Sequence, residues 1–240
     1  MLTGPQQISA SDWGVITSSQ NSPLGVKAGT ADGREYRYGL AGATALAVGK
    51  LTQQPTAEAN HQVIAVQAAA ALGATTVSVT LGATAATANQ YAGGYLTIQD
   101  SVGAGSSYLI AGHGAASSSG TLAVTLAEPL TLALTTATKC SLIVHSYSNM
   151  IIAATGIVSQ INGVPGIAVT AANYGWFQVE GVASVLGNGT PAQGTGVISS
   201  VTTAGATDVE LAATVTQRLG YVVGSAGVST KYNAIYLAIN

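Results

Sequence analysis

From Tyr174 to Gly181 the chain reads Tyr-Gly-Trp-Phe-Gln-Val-Glu-Gly. Sorted at a period of two, Tyr174, Trp176, Gln178 and Glu180 fall on one face and Phe177 and Val179 on the other. That pattern predicts a β-strand loaded on both faces, central in a sandwich or half inside a subunit interface. The same period recurs along the chain. In residues 75–81, Val77, Val79 and Leu81 share a face. Residues 94–100 and 107–111 form a predicted hairpin around a glycine-containing loop at 101–106. Residues 121–126 repeat the Val77 strand about 45 positions later, and 141–144 stand where 95–98 stood. A pattern with two copies cannot propagate as a solenoid, so it predicts two similar β-units side by side.

Further strands are predicted at 166–170, 181–186, 196–199, 211–215, 220–223 and 232–239, with a strand or hairpin across 41–51. In the last strand Tyr232, Tyr236 and two alanines alternate with Asn233, Ile235, Leu237 and Ile239, which requires neighbours on both edges. Residues 83–91 are rich in alanine, but their threonines and flanking glycines favour a loop over a helix. Residues 1–30 carry Gly4-Pro5, Ser18-Ser19, Asn21-Ser22-Pro23 and Gly25 with no sustained period, and read as an extended arm holding a lone Trp13. The expected fold is all-β: a sandwich or jelly-roll-like body over 31–240, few or no long helices, and an N-terminal arm that is a candidate for exchange between subunits.

Composition sharpens this picture. Of 240 residues, 48% are hydrophobic and the mean hydropathy is +0.40, which excludes extended disorder. Charged residues make up 7%, against about 25% in an ordinary globular chain, and the net charge is −2. A surface so short of ions points to a subunit that spends its life packed against copies of itself or a larger assembly. Seven basic residues scattered singly, with a pI near 5.8, leave no stripe to neutralise phosphates, so direct nucleic-acid binding is not expected. No apolar window reaches the roughly 18 residues of a membrane span, and the first residues lack a basic region followed by an apolar one. Synthesis in a cytoplasm, with no membrane partner, is the expectation.

Candidate chemistry is sparse. Cys140, in the run Cys-Ser-Leu-Ile-Val, reads as a buried small hydrophobe. His61, His113 and His145 lie far apart with no metal-ligand spacing, and His145 reads as structural. Asp100 and Glu128 could be imagined as a glycosidase pair, but Glu128-Pro129 looks like a turn, and Asp208 with Glu210 reads as a solvated pair. No G-x-S-x-G occurs, and the Gly103 and Gly187 pairs lack a third glycine. No catalytic, metal or cofactor residue is assigned. The residues singled out are instead interface candidates: Trp13 on the arm, Arg34, Tyr36, Arg37 and Tyr38 in a charge-dense strand, and Tyr174 and Trp176 in the aromatic strand.

Asp32-Gly33-Arg34-x-Tyr36-x-Tyr38 followed by Gly39 to Gly49-Lys50-Leu51, the Tyr95-Leu96 to Tyr108-Leu109-Ile110 hairpin with Gly112-His113, and Tyr174-Gly175-Trp176 to Gly181 together resemble virion structural proteins of tailed bacteriophages, closest to capsid decoration or cement proteins. The likeness spans roughly residues 30–240. It implies a β-rich, often trimeric body on the outer face of an icosahedral head, bound at junctions between major capsid proteins and strengthening the shell against internal DNA pressure. It brings no catalytic residues. Two other classes share the composition: a tail-fibre or receptor-binding tip, and a secreted carbohydrate-active enzyme, which would need a carboxylate pair.

Overall fold

The computed structural model describes residues 6–9, 12–156, 159–210, 217–224 and 227–239. Its strands, in chain order, are β1 (Gln6–Gln7), β2 (Lys27–Gly29), β3 (Glu35–Leu40), β4 (Thr52–Gln53), β5 (Ile64–Ala65), β6 (Thr76–Thr80), β7 (Tyr95–Asp100), β8 (Ser107–His113), β9 (Thr121–Leu126), β10 (Lys139–Ile143), β11 (Ile151–Ile152), β12 (Ile161–Pro165), β13 (Tyr174–Leu186), β14 (Gly196–Ser199), β15 (Thr207–Val209), β16 (Gly220–Val222) and β17 (Tyr232–Ala238). Two single-turn 3-10 segments, Asp12–Gly14 and Ala59–His61, are the only helical pieces among the described residues. The chain is all-β, as its periodicities predict.

The chain divides into two compact units, one made of residues 1–56 and 146–240 and the other of residues 57–145. The division differs from the predicted arm and body. The second unit is inserted between β4 and β11, which pair with each other through Ile151 opposite Gln53. No charge run or proline-glycine linker marks either junction, so composition could not show it.

In the first unit, β13 is the organising strand. Its first half lies between β3, with Trp176 opposite Tyr38, and β12, with Val164 opposite Gln178; its second half pairs with β17 from Glu180 to Leu186. Both faces are loaded, as predicted. Trp176 joins Tyr36 and Tyr38 on one side, while Phe177 packs with Leu46, Met150 and Val169, and Val179 joins a third cluster with Leu51, Val185, Ile235 and Leu237. β17 lies between β13 and β16 with Asn233, Ile235 and Leu237 buried, the docked C-terminal strand that its alternation requires. Some expectations fail locally. Residues 41–51 and 166–170 form turns held by isolated bridges, Ala41 to Met150 and Leu46 to Val169, because their small residues leave the neighbouring backbone to set the path. The predicted strand at 211–215 lies outside the described residues.

The inserted unit is a six-stranded sheet in the order β5-β10-β7-β8-β9-β6. It curls until β5 and β6 meet through the bridge of Val66 with Val79 and the bond from Gln67 N to Ser78 O (2.8 Å), giving a near-closed barrel. The hairpin β7–β8 is present, with Tyr95 opposite Leu109. Inward positions alternate along every long strand: Val77, Val79, Leu96, Ile98, Ile110, Leu122, Val124 and Leu142 fill the interior. The two sequence copies do not stand side by side. The Val77 strand and its copy are paired neighbours, with Val77 opposite Val124, and β7 pairs with its own copy, β10. Exchanging β5 with β8, β6 with β9 and β7 with β10 reproduces every neighbour relation of the barrel, an internal twofold in which the copies interlock. A strand of one copy needs a strand of the other for its hydrogen bonds, so neither half could be a unit alone.

Candidate functional site

The structure gathers six of the seven interface candidates in one place. β3 and β13 present Tyr36, Tyr38, Tyr174 and Trp176 to one face, and the N-terminal segment lies over it. Tyr38 stacks on Tyr174 (centroids 5.8 Å apart) and meets the edge of Trp176 at 5.1 Å. Trp13 stacks on Tyr36 at 6.2 Å, and the Arg34 guanidinium stands 5.7 Å from the Trp13 ring. Gly166 makes room for that indole: a Cβ there would come within 2.6 Å of its ring. Arg37, the seventh, points to the opposite face of β3, donates to Gly25 O (2.8 Å) and stands over Tyr147.

Two expectations are corrected here. The arm is not extended: β1 runs parallel to β2, Ile8 N donates to Gly29 O (3.0 Å), and Thr17 and Tyr174 exchange backbone hydrogen bonds. Nor are Tyr36, Tyr38 and Trp176 available as anchors, because the chain's own segment buries them to 1%, 3% and 7% exposure. A lone tryptophan among glycine and serine signals a pocket to be filled. It does not say whose pocket.

The charges near this face resolve into local pairs. Arg34 binds Asp32 (2.8 Å) and Lys27 binds Glu35, so β3, flanked by β2 and β13, is no solvated edge. Asp208 and Glu210 are not a pair with each other: Asp208 accepts from Asn188 and Glu210 binds Arg218. Across β3 and β13, Glu35 and Glu180 stand opposite each other at a bulge, so that each carboxyl acts on the other. Lys27 holds Glu35 below the usual carboxylate range, while the neighbouring Glu35 carboxyl and then burial raise Glu180. Sequence reasoning missed this pair because 145 positions separate its members and only the strand register brings them together.

The linkage has opposite signs at the two residues. Glu35 contributes stability that is present above its unfolded pKa and lost as pH falls through its lowered folded value. Glu180, raised in the fold, contributes least at neutral pH and more as falling pH protonates it. Glu180→Gln keeps a donor to Glu35 and removes the like charge. It is expected to stabilise the protein at neutral pH by up to about 1 kcal/mol, screened because the site is open to solvent, and to lose that advantage at acid pH once the wild-type carboxyl is protonated. Urea denaturation at both conditions measures the difference; an equal effect at the two would show that the like charge is not the cause.

In the inserted barrel two of the histidines form a buried network. His61 Nε2 faces Thr84 O (3.0 Å), which can only accept, so this nitrogen carries the hydrogen and Nδ1 accepts from the Tyr91 hydroxyl. Tyr91 N–H donates to His113 Nε2 (3.0 Å), and His113 Nδ1–H donates to Gly114 O (2.7 Å). Burial and then the Glu58 charge push the Tyr91 hydroxyl up to about 12, so it remains a donor across the working range. All four ring nitrogens are engaged and none is left to hold a metal; among the described residues no group of three His, Cys, Asp or Glu could do so. Cys140 is fully buried in the same barrel, its thiol pushed up to about 12 by desolvation, and has the environment of an inert core residue.

Comparison with known proteins gives no match for this chain: no family model, no curated protein and no solved structure.

Proposed function

We propose that the chain is a virion structural protein, a decoration or cement subunit that binds the outer face of a phage head at junctions between major capsid proteins and stabilises the shell, with self-association into a trimer. The observation that supports this reading is the exterior of the inserted barrel. Over residues 57–145 only Glu58, Asp100, Glu128 and Lys139 carry a formal charge, while Val63, Leu72, Tyr95 and Leu109 are exposed. Leu109, Tyr95 and Ile143 lie in register across β8, β7 and β10, an uncharged row on three adjacent strands. Such a row is costly to leave in water and suits an occupied contact. With Tyr36, Tyr38 and Trp176 covered by their own chain, the anchoring role passes from that face to this one. Many weak apolar contacts become a strong attachment when many subunits engage one shell.

The test is co-sedimentation of purified protein with phage heads stripped of decoration. Wild type is expected to pellet with the heads, and the Tyr95→Asp/Leu109→Asp double variant, whose changes lie on the outer surface, to lose about tenfold or more in occupancy while keeping its melting temperature. Wild type that stays in the supernatant, as a monomer at high concentration, would overturn the reading.

A further inference from the structure

Between the folded-back N-terminal segment and the aromatic face lies an open cleft of about 360 Å³. Its apolar side is the exposed Val15, and its floor is the narrow accessible margin of Ile8, Tyr38 and Trp176, each less than a tenth exposed. The polar residues that line it are Gln7 of β1, Asp12 at the start of the 3-10 turn and Asn21 in the loop before β2, with Thr17 and Ser22. No lysine or arginine is among the described residues that line it.

Each part is held in place. Asp12 Oδ2 accepts from both Ser9 N and Ser9 Oγ at 2.7 Å, which fixes the carboxylate and holds it below its usual range, so it is ionised and acts as an acceptor. The Tyr38 hydroxyl is fixed by Asn21 N (3.1 Å) and Thr17 Oγ1 (3.3 Å), which ties the loop carrying Asn21 to the aromatic floor. Trp176 is braced edge-on by Tyr38. The site is therefore largely preformed, and its volume is at the small end of the range for ligand pockets.

The geometry points to a binding site for an uncharged saccharide of one or two rings in this cleft. A sugar ring offers an apolar face of C–H groups, which suits Val15 and the margin of Trp176 at the cleft floor, and a rim of hydroxyls that both donate and accept. A fixed carboxylate that accepts and two amides that do both match that rim. Anionic ligands are disfavoured, because the only charge lining the cleft is negative. An apolar ligand would leave unused the Asp12 oxygen that Ser9 does not occupy, and the amides of Gln7 and Asn21. The inference is independent of attachment to a shell: the cleft is in the first unit, and the barrel row proposed above plays no part in it.

The probes are cellobiose, maltose, lactose and N,N′-diacetylchitobiose, with sialyllactose as the anionic control, titrated into the full chain and followed by amide NMR shifts and indole fluorescence. At least one neutral disaccharide is expected to saturate shifts at Gln7, Thr17, Asn21 and Trp176, with sialyllactose weaker. Asp12→Asn, which keeps an acceptor for Ser9, and Asn21→Ala should each weaken binding about tenfold with unchanged melting temperature, since a lost hydrogen bond to a charged group is worth about one to two orders of magnitude. An arm with the corresponding hexasaccharides separates sources: affinity equal to the disaccharide marks a free small sugar, and a marked gain marks a polymeric glycan. No shift with any neutral probe at millimolar concentration, or binding that both variants leave intact, overturns the assignment. The Tyr95→Asp/Leu109→Asp variant should bind the sugar normally, so failure here and failure of shell attachment are told apart.

Discussion

Replacing Phe177 by alanine is expected to destabilise the protein by about 3–5 kcal/mol, a fall in melting temperature on the order of 10 °C. Phe177 is the only phenylalanine, fully buried, and sits where β13 is paired on both edges, opposite Arg37 of β3 and Pro165 of β12. The residues around it are Ala41, Leu46, Met150 and Val169, most of them smaller than the ring. The backbone has been thinned to admit it. A Cβ at Gly39 would lie 2.5 Å from the Met150 methyl and 3.2 Å from the Phe177 ring, and one at Gly163 would lie 3.1 Å from Phe177 Cβ. Glycines leave no side chain to move into the space, so the cavity cannot collapse, and the loss belongs at the upper end of the range. Phe177→Leu, which keeps most of the volume, should cost about 1.5 kcal/mol or less. Thermal and urea melts of the two variants measure the contrast; similar losses would mean that polarity or backbone effects, and not the filled volume, hold this site.

The sequence carried the strands whose side chains alternate cleanly. β17 and the β7–β8 hairpin carry aromatic and branched residues at a period of two, and a one-residue slip would turn their apolar sets outward, while β13 carries large side chains on both faces, which marks a strand covered on both sides. It carried much less where alanine, glycine and threonine prevail. Residues 41–51 and 166–170 have too little apolar contrast to fix a face, and their path is decided by the strands they touch. The 45-residue repeat was visible, but the pairing of its copies was not, because antiparallel partners in a closed barrel are chosen by curvature and closure, which no local pattern encodes. The candidate site was legible in part. Alternation placed Tyr36 with Tyr38 and Tyr174 with Trp176, and β3 and β13 do bring them together. Whether Trp13 covered its own chain's aromatics or a neighbour's depended on the reversal of the chain near Asn21-Ser22-Pro23, a segment equally compatible with an extended arm. Burial of the cluster by that reversal is also what creates the cleft beside it, so the same misjudged segment hid both features.

The second large effect is expected at His113, where alanine should cost the inserted barrel about 2–5 kcal/mol although its side chain, unlike that of Leu109 on the same strand, is buried and takes no part in the proposed contact. Its imidazole spans two backbone groups, accepting from Tyr91 N–H and donating to Gly114 O, in a region where Tyr91 is 1% exposed. Truncation strands the buried Tyr91 N–H at about 1–3 kcal/mol, while the carbonyl of the exposed Gly114 can turn to water, and it opens a void against the Tyr91 ring, whose centroid lies 5.7 Å away. The damage should spread along the network. With Tyr91 loosened, its hydroxyl no longer holds His61 Nδ1, and the bond from His61 to Thr84 O, which pins the loop before β7, is left to position that ring alone. Tyr91→Phe removes only the hydroxyl end and should cost about 1–2 kcal/mol; because the two substitutions break one connected chain, the double variant should cost less than their sum. Amide exchange gives the decisive reading. In His113→Ala the Tyr91 amide, now without an acceptor, should lose protection out of proportion to the strands of the barrel, whereas a fall matching the global loss would mean that the histidine acts as bulk filling and the polar chain does not work as a unit.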